Sequence, residues 1–498
     1  MRWVSIATTT AALAACIGIQ GIRADALDRR PEGGASHSSA PLVRSPDAQL
    51  VIADAIFDPK TRRLTIYGAN FGTRRLPTVR LGPEFLVLRS ASDDLLETHP
   101  VPADLSPGKY NLTVVAGNDR SRFDVVSILV DDSGSSGTGL PVSRARNRIV
   151  AVDRAGDVGW DTSIALSAEG LPLIAYLDYS NRDLKLAYCE DPDCRTSRLM
   201  AVDTQGDSGW SSSLALGSDG LPIISYYDGD NRSLKLARCS EPRCETFELR
   251  TLDDADQVGQ HSSLAIGRDG LPVISYYDKG RGDLKVAHCR DLACAEVSLV
   301  TVDRAGDVGW YTAIAIGLDG NPVVSYFDSS SRALKLAHCE DAACSLARVS
   351  VIDTGGVGLG TDIVVPEDGR PLIAYWDFLN DDLKLARCAS VECLRADIET
   401  IDQEGSVGSN AAMAIGADGY PIISYHDHSN ANLRVAHCGD LACHRVRIHA
   451  PDTVGSVGWH TDIAIGADGL PLVSYYDETN GDLKSLHCGD PSCGIGLD

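Results

Sequence analysis

The feature that most constrains this chain is a repeat of about 50 residues that occurs seven times in succession. Every repeat contains two cysteines in the spacing CxxxxC, and the first cysteine of each pair stands at 189, 239, 289, 339, 388, 438 or 488. The period is therefore 50, with a single step of 49 between the fourth and fifth repeats. A fixed period of this size is typical of solenoids, arrays and propellers.

Each repeat reads as four short β-strands and contains no helical pattern. In the third repeat, the runs SSLAIG, LPVISYYD, DLKVAHC and VSLVTVD are separated by an Asp-Gly turn, a polar turn and the CxxxxC loop. Four strands joined by three hairpin connections are the composition of a propeller blade. The runs are apolar at nearly consecutive positions, as expected for sheets that neighbouring blades cover on both faces. Seven repeats thus predict a seven-bladed β-propeller of four-stranded blades.

The two ends of the repeated region predict how the ring closes. An extra strand-like segment, RIVAVD at 148–153, precedes the first repeat, whereas the last repeat ends at CGIGLD without a fourth strand. If 148–153 supplies the missing strand, every blade is complete and no sheet edge stays free for aggregation. We therefore expect the ring to close by an N-terminal outer strand.

Cysteine usage indicates an exported protein. Of the 15 cysteines, 14 form the CxxxxC pairs and one, Cys16, lies near the N-terminus. A fully paired set predicts disulfides, because a zinc site needs four ligands and would have to join pairs from separate repeats. The predicted disulfides are Cys189–Cys194, Cys239–Cys244, Cys289–Cys294, Cys339–Cys344, Cys388–Cys393, Cys438–Cys443 and Cys488–Cys493.

Residues 1–26 read as a signal peptide, with an early arginine, an apolar run and a polar end. Two cleavage sites compete. Ala24-Asp25-Ala26 suits ordinary signal peptidase, while Leu13-Ala14-Ala15-Cys16 resembles a bacterial lipobox, in which Cys16 would carry a lipid anchor. No segment reaches the roughly 18 consecutive apolar residues of a transmembrane helix. We expect a secreted, extracellular or periplasmic protein, with lipid anchoring at the cell surface as the alternative.

A small β-rich domain lies between two linkers. Residues 27–47 and 132–147 are rich in Gly, Ser and Pro, and residues 48–131 alternate short β-like runs with turns, which predicts a small sandwich. Within that domain, AIFDPKTRRLTIYGANFG, TVRLG and PADLSPGKYNLTV resemble the IPT/TIG family of immunoglobulin-like domains. The resemblance implies a spacer or interaction module in a surface protein and no chemistry. The expected fold class is all-β, an Ig-like β-sandwich followed by the propeller at 148–498.

The segment that leads into each innermost strand carries the functional prediction. It reads VDRAGDVGWDTS in the first repeat and holds tryptophan at 160, 210, 310 and 459, with Gln260, Leu359 and Ser409 in the other repeats. The following position varies most within this otherwise regular loop, and such varied polar residues should surround the upper end of the channel. The candidate ligand-binding residues are Trp160, Asp161, Trp210, Ser211, His261, Trp310, Tyr311, Asn410, Trp459 and His460. For the tryptophans, packing between blades is the alternative.

Metal binding is a weaker alternative at two places. An aspartate ends each second strand, where it either caps an Asx-type turn or provides a calcium ligand. His426 and His428 lie two residues apart and are either solvated turn residues or metal ligands. No cofactor is predicted, with calcium as the alternative. The second-strand aspartates are Asp178, Asp228, Asp278, Asp328, Asp377, Asp427 and Asp477.

The architecture resembles sialidase-type propellers and propeller lectins, but the chain departs from the sialidase pattern. The Asp-box SxDxGxxW is absent, and the loops entering the inner strands carry no arginine cluster to hold a carboxylate. Asp161, Asp362 and Asp462 could supply the two carboxylates that glycosidases need. Without other catalytic motifs, repeated loops favour binding or adhesion to a carbohydrate or protein ligand. A sialidase-like glycoside hydrolase and a purely structural surface protein are the alternatives.

The charge excludes one class of partner. The net charge is −24 and no basic run or stripe occurs in the sequence, so a nucleic-acid backbone would be repelled. We expect a glycan or protein ligand and no nucleic acid.

Overall fold

The computed structural model describes residues 51–494 except 59–60, 70, 72–75, 82–83, 93–94, 103–107, 117–118, 131–145 and 256. All regular elements in these ranges are β-strands, so the predicted all-β class is confirmed. The predicted signal peptide, both cleavage sites and Cys16 lie outside the described residues. Among the residues described, no helix is long and apolar enough to cross a membrane.

The predicted β-sandwich is present at the N-terminal side. Its strands form two four-stranded sheets, in the orders β1-β2-β6-β5 and β4-β3-β7-β8. Leu64, Ile66, Leu81 and Leu96 are fully buried between them, in the alternating pattern of half-buried strands. The strands are β1 (Val51–Asp58), β2 (Arg63–Ala69), β3 (Thr78–Leu81), β4 (Glu84–Leu86), β5 (Leu88–Ala91), β6 (Leu95–Thr98), β7 (Gly108–Ala116) and β8 (Asp119–Val130).

The remaining strands form seven four-stranded sheets, which are the blades of the propeller. The first outer strand in the chain is β9 (Arg148–Asp153). Blade 1 is β10 (Val158–Leu166), β11 (Pro172–Asp178), β12 (Asp183–Cys189) and β13 (Ser197–Asp203). Blade 2 is β14 (Ser208–Leu216), β15 (Pro222–Asp228), β16 (Ser233–Cys239) and β17 (Phe247–Asp253). Blade 3 is β18 (Val258–Ile266), β19 (Pro272–Asp278), β20 (Asp283–Cys289) and β21 (Val297–Asp303).

The other blades repeat the same order from the axis outward. Blade 4 is β22 (Val308–Ile316), β23 (Pro322–Asp328), β24 (Ala333–Cys339) and β25 (Ala347–Thr354). Blade 5 is β26 (Val357–Val364), β27 (Leu372–Asp377), β28 (Asp382–Cys388) and β29 (Ala396–Asp402). Blade 6 is β30 (Val407–Ile415), β31 (Pro421–Asp427), β32 (Asn432–Cys438) and β33 (Val446–Asp452). Blade 7 contains β34 (Val457–Ile465), β35 (Pro471–Asp477) and β36 (Asp482–His487).

The ring closes as the sequence predicts. Strand β9 pairs antiparallel with β36, with Leu483 opposite Asp153 and His487 opposite Arg148, and so becomes the outer strand of blade 7. The chain therefore joins its first and last repeated segments in one sheet, which is how a propeller avoids a free edge at its seam.

A buried tyrosine and an aspartate join each pair of neighbouring blades. At the closing seam, the hydroxyl of Tyr176 on β11 donates to Asp153 at the end of β9, over 2.7 Å, and Lys185 contacts the same carboxylate. Burial and the nearby carboxylates raise the pKa of Tyr176, so this donor stays protonated. All seven seams repeat the contact, at oxygen–oxygen distances of 2.6 to 2.8 Å.

The predicted disulfides are confirmed. All seven CxxxxC pairs are bonded, and each bond links the end of a third strand to the loop that follows it. Bonds of this kind persist in oxidising compartments such as the periplasm and the extracellular space. The exact domain boundaries and the IPT/TIG assignment stay predictions.

Three side chains, Arg148, Asp193 and His487, form what we call the closing latch. Arg148 on β9 donates to both carboxylate oxygens of Asp193 in blade 1, at 2.9 and 2.7 Å. Nδ1 of His487 lies 2.7 Å from Asp193, and its Nε2 lies 2.9 Å from Asp468. Burial opposes the charge on His487, but its bonds to Asp468 and Asp193 outweigh burial and raise its pKa. The latch thus connects blade 1 to both partners of the closing strand pair.

We predict that Asp193→Ala lowers the free energy of unfolding of the propeller by about 2 kcal/mol, because the charged Arg148 and His487 lose a common acceptor. The pKa of Asp193 is lowered, because Arg148 and His487 outweigh its burial, so the latch weakens as pH falls below about 4. The raised pKa of His487 means that its share is complete below about pH 6.5 and lost as pH rises through that pKa.

Urea unfolding of the full chain measures this effect. Arg243→Ala is the control, because Arg243 is exposed and occupies the position of Asp193 in blade 2. The difference between the two variants should be larger near pH 5.5 than near pH 9. Equal stability of the two variants, or a difference that grows with pH, would contradict the latch.

Candidate functional site

The segment predicted to be a loop before each innermost strand is a loop only in part: in blade 1, residues 154–157 connect β9 to β10. Strand β10 already begins at Val158, and Trp160 pairs with Leu177, whereas the next paired residue, Ser163, faces Ala175. The register shift marks a β-bulge at 161–162. The prediction of a loop was wrong for 158–163 only, because the polar residues WDTS interrupt the apolar pattern, while the bulge retains strand pairing on both sides.

The bulge gives each blade one residue in the left-handed conformation. The seven φ angles at this position lie between 47° and 56°, and only one of the residues is a glycine. Such a conformation costs a non-glycine residue about 1 kcal/mol or more, so the surrounding contacts must hold it. We call these residues the inner ring. They are Asp161, Ser211, His261, Tyr311, Gly360, Asn410 and His460.

A glycine two residues before each inner-ring residue lets the blades approach closely. Gly159 has a φ of 102°, and a Cβ atom there would lie 2.8 Å from Cα of Leu483 in blade 7. The equivalent glycines of the other blades meet the backbone of the preceding blade in the same way. A glycine is therefore required where neighbouring blades approach closely beside the bulge.

The inner ring surrounds a single cavity of about 710 Å³ on the axis. All seven inner-ring residues line it, and so does Trp210. This volume falls within the roughly 300 to 1,000 Å³ of small-molecule sites. The structure thus brings together seven of the ten predicted ligand-binding residues, namely Asp161, Trp210, Ser211, His261, Tyr311, Asn410 and His460.

The other three, Trp160, Trp310 and Trp459, lie in the seams between blades rather than in the cavity wall. Trp160 lies 5.2 Å from Tyr476 of blade 7 between ring centres, and its Nε1 donates to Asp157 at 2.9 Å. Trp310 and Trp459 make equivalent contacts with the preceding blade. These three tryptophans therefore pack between blades, which is the alternative interpretation given for them above.

A hydroxyl group follows six of the inner-ring residues and forms the floor of the cavity. Each hydroxyl donates to the carbonyl oxygen of the preceding blade's inner-ring residue, over 2.6 to 3.3 Å. This hydroxyl belt was not predicted from the sequence, although Ser or Thr recurs at the position. The belt consists of Thr162, Ser212, Ser262, Thr312, Thr361 and Thr461, and Ala411 stands at the position in blade 6.

The residue after most hydroxyl-belt positions accepts a hydrogen bond from a backbone amide of an innermost strand. These amides point away from their own sheet and have no partner in it. In the regular case a serine accepts the amide of the next blade, as Ser163 accepts Leu214 N at 3.0 Å. Ser213 and Ser263 do the same for Leu264 and Ile314. An edge strand needs such acceptors because half of its amides have no ladder partner.

Two aspartates complete this amide ring where serine is missing. Ala313 and Ala412 cannot accept, and in each case the next blade carries an aspartate instead. Asp362 accepts the amide of Ile363 on Oδ1 at 2.8 Å and that of Met413 on Oδ2 at 2.6 Å.

Asp462 accepts the amides of Ile463 and Ile164 in the same manner, at 2.8 and 2.7 Å. Seven amides, one from each blade, are thereby satisfied.

The pKa values of Asp362 and Asp462 are both raised. Burial and the negative charge of Asp462 raise the pKa of Asp362 to about 7, although the amides of Met413 and Ile363 act in the opposite direction. Burial likewise raises the pKa of Asp462 to about 6. Both oxygens of each carboxylate accept a hydrogen bond from a backbone amide, which explains why aspartate stands at these two positions.

The ionisable side chains of the cavity wall are either paired with a partner or neutral. Asp161 lies 2.8 Å from Nδ1 of His460, and its other oxygen accepts the amide of Ser211 at 2.7 Å. Burial opposes ionisation of Asp161, but His460 and the Ser211 amide lower its pKa. Burial lowers the pKa of His261 to about 4, so this imidazole is neutral at physiological pH. Tyr311, 37% exposed, lies 4.3 Å from the His261 ring centre.

The two candidate metal sites have structural roles. His426 is buried inside β31, with its ring stacked 4.2 Å from Trp459, so the prediction of a solvated turn residue was wrong. Burial and His428 lower its pKa to about 4. Asp178 caps its turn by accepting the amide of Asn181 at 3.0 Å, as an Asx turn requires. In the described part of the chain, no group of three or more His, Cys, Asp or Glu side chains is arranged to hold a metal ion.

A second variable position, missed in the sequence, lies further from the axis. It directly follows the second-strand aspartate, and its residue types differ in every blade. The sequence contains a signal for this position, because the same Asp is followed by a different residue type in each of the seven repeats. We call this set the outer ring. It consists of Tyr179, Gly229, Lys279, Ser329, Phe378, His428 and Glu478.

Comparisons with known proteins find limited similarity to solved structures. No protein-family model matches the chain, and no curated protein matches it. A hydrazine synthase of Kuenenia stuttgartiensis is 12% identical, with a TM-score of 0.47, over 66% of this chain and 96% of that chain. An oligogalacturonate lyase in complex with manganese is 11% identical, with a TM-score of 0.45, over 68% and 92%. No residue or activity is transferred from these structures.

The amide ring predicts a specific pattern of stability. Asp362→Ala should lower the free energy of unfolding by about 2 kcal/mol, because it leaves the amides of Ile363 and Met413 without acceptors. The double variant Ala313→Ser/Asp362→Ser introduces the regular serine pattern of blades 1 to 3 and should recover most of that loss. Thermal or urea unfolding measures both. The ring is contradicted if the double variant is no more stable than Asp362→Ala.

Proposed function

We propose that the axial cavity binds a neutral carbohydrate and that the protein acts as a secreted or surface-displayed binding protein. The observation that carries the proposal is the convergence of seven varied side chains, one from each blade, on one cavity. A regular scaffold with varied tips is the usual construction of a recognition site.

The chemistry of the wall supports a sugar. Tyr311 offers a partly exposed ring, and the ring of Trp210 also lines the cavity. Ser211 and Asn410 provide hydroxyl and amide groups beside these rings. A sugar presents apolar C–H faces together with hydroxyl edges, which such a mixture of flat and polar groups complements.

The charge of the wall supports a neutral ligand. Among the residues that the structure describes, no lysine or arginine lines the cavity, so neither side chain is available there to hold a carboxylate or phosphate group. Asp161 is bonded to His460, His261 is neutral, and Asp207 lies 3.8 Å from Arg182. A charged ligand would leave its charge unpaired in a partly desolvated site.

Glycoside cleavage is the alternative from another class of function. Of the three carboxylates that could serve it, Asp161 lines the cavity, whereas Asp362 and Asp462 are not among the lining residues and accept two backbone amides each. Binding is favoured because the carboxylates already have structural partners. A protein ligand and a purely structural role are the remaining alternatives.

Display outside the cell follows from the predicted domain order. The leader at 1–26 would export the chain, and the IPT/TIG-like domain at 48–131 would serve as a spacer for the propeller. The seven disulfides support an oxidising location.

A glycan array followed by calorimetry on the full chain tests the proposal. We predict saturable binding of neutral glycans and no preference for sialylated or uronic-acid glycans. Tyr311→Ala should weaken binding by about tenfold, as loss of a central aromatic contact does. Leu318→Ala is the control, because this exposed residue belongs to the Asp-Gly turn of blade 4 on the opposite face. Unchanged binding by Tyr311→Ala would contradict the site.

A reducing-sugar assay on the same samples separates binding from cleavage. The proposal predicts that the bound glycan is recovered intact. Turnover that disappears in Asp161→Asn would instead establish the hydrolase alternative.

A further inference from the structure

The cavity is not symmetric about the axis but extends outward over blade 2. Asp207, Tyr227, Gly229 and Gln260 line this extension, and each lies further from the axis than the inner ring. No residue from the equivalent positions of blades 4 to 7 contributes to the cavity wall. The seven-fold scaffold therefore has one direction in which its binding site is open.

The opening follows from the outer ring. Blade 2 is the only blade with glycine at that position, where the other six blades carry a side chain. The amide of Gly229 donates to Asp207 O at 2.7 Å, and that of Ser329 in blade 4 donates to Asp307 O at 2.8 Å. The backbone makes the same hydrogen bond in both blades, and blade 2 lacks the side chain that blade 4 carries there.

An aromatic cluster borders the opening. The ring of Trp210 lies in the cavity wall and is 5.9 Å from Tyr179, edge to face. Tyr179 stacks on Trp160 with a centroid distance of 5.1 Å and an interplanar angle of 21°, and it remains 45% exposed. Trp160 itself is covered by Tyr179 and by Tyr476. The exposed platform is therefore Tyr179, and Trp160 supports it.

We propose that this opening is a second sugar subsite and that the ligand is a neutral oligosaccharide or polysaccharide chain rather than a single sugar. One unit of the chain occupies the axial cavity, and the next units run outward across Gly229 beside Trp210 and Tyr179. The proposal rests on the proposed function, because it extends the same cavity. The continuity of the opening with that cavity through Trp210 favours a chain that is held at both places.

The polar groups of the opening fit the same ligand class. Asp207 accepts Trp210 Nε1 at 2.8 Å and lies 3.8 Å from Arg182, so its charge is partly compensated. Gln260 also lines the opening, and its side chain is hydrogen-bonded to the nearly buried Tyr227. These groups can exchange hydrogen bonds with sugar hydroxyls while the aromatic rings cover the apolar faces.

Calorimetry on the full chain with a monosaccharide and the hexasaccharide of the same sugar tests the subsite, using xylo-, manno-, cello- and malto-oligosaccharides as probes. The hexasaccharide should bind the wild-type protein about tenfold more tightly than the monosaccharide. Gly229→Phe should remove that advantage, because the new ring fills the opening. Tyr179→Ala should weaken hexasaccharide binding by about fivefold.

Ser329→Phe is the matched control, since it adds the same ring at the same outer-ring position in blade 4, away from the opening. Gly229 does not have a positive φ, and an added Cβ atom would lie 3.0 Å from Oδ2 of Asp207, so the Asp207 side chain must shift by a few tenths of an ångström to admit the new ring. Equal affinity for both sugar lengths, or an equal effect of Gly229→Phe and Ser329→Phe, overturns the subsite and leaves the axial site intact. Failure of every probe to bind overturns the proposed function and the subsite with it.

Discussion

The edge of each innermost strand is the constraint on which this structure depends. Every blade turns one sheet edge toward the axis, where half of the amide groups have no ladder partner. The molecule satisfies one such amide in each blade with a side chain from the preceding blade or from the same strand, as with Ser163 and Asp362. The hydroxyl belt does the same for the carbonyl groups. The seven blades are thereby held together around the axis by polar contacts as well as by apolar packing.

The candidate site is a consequence of this arrangement. The β-bulge interrupts the edge once in each blade, and the residue at its centre adopts a left-handed conformation directed to the mouth of the channel. Because belt and amide ring fix the backbone on one side, the inner-ring side chain can change without altering the fold. Variation is therefore concentrated where it can change recognition, and Gly229 in the outer ring breaks the symmetry further.

The features that could be predicted from the sequence are those that recur in every repeat. The period and the missing last strand were enough to predict closure by 148–153, and the CxxxxC spacing was enough to predict the disulfides. The variable position after the tryptophan was correctly associated with the axis. In each case local pattern and global topology agree, as expected for a repetitive fold.

The remaining features depend on contacts between repeats, which no single repeat contains. The bulge looked like a loop because its extra residue disrupts the alternation of strand positions. Trp160 was placed among the ligand-binding residues because nothing in its own repeat shows that Tyr476, more than three hundred residues away, packs against it. The pairing of Ala313 with Asp362 likewise becomes visible only when the amide of Ile363 is placed in the ring.

A crystal structure of the full chain with its tightest-binding neutral oligosaccharide tests the central claim most directly. We expect one sugar unit within the inner ring, in contact with Tyr311 and with residues of at least two other blades. A sugar bound on the outer strands or at the disulfide-bearing face, with the axial cavity empty, would contradict it.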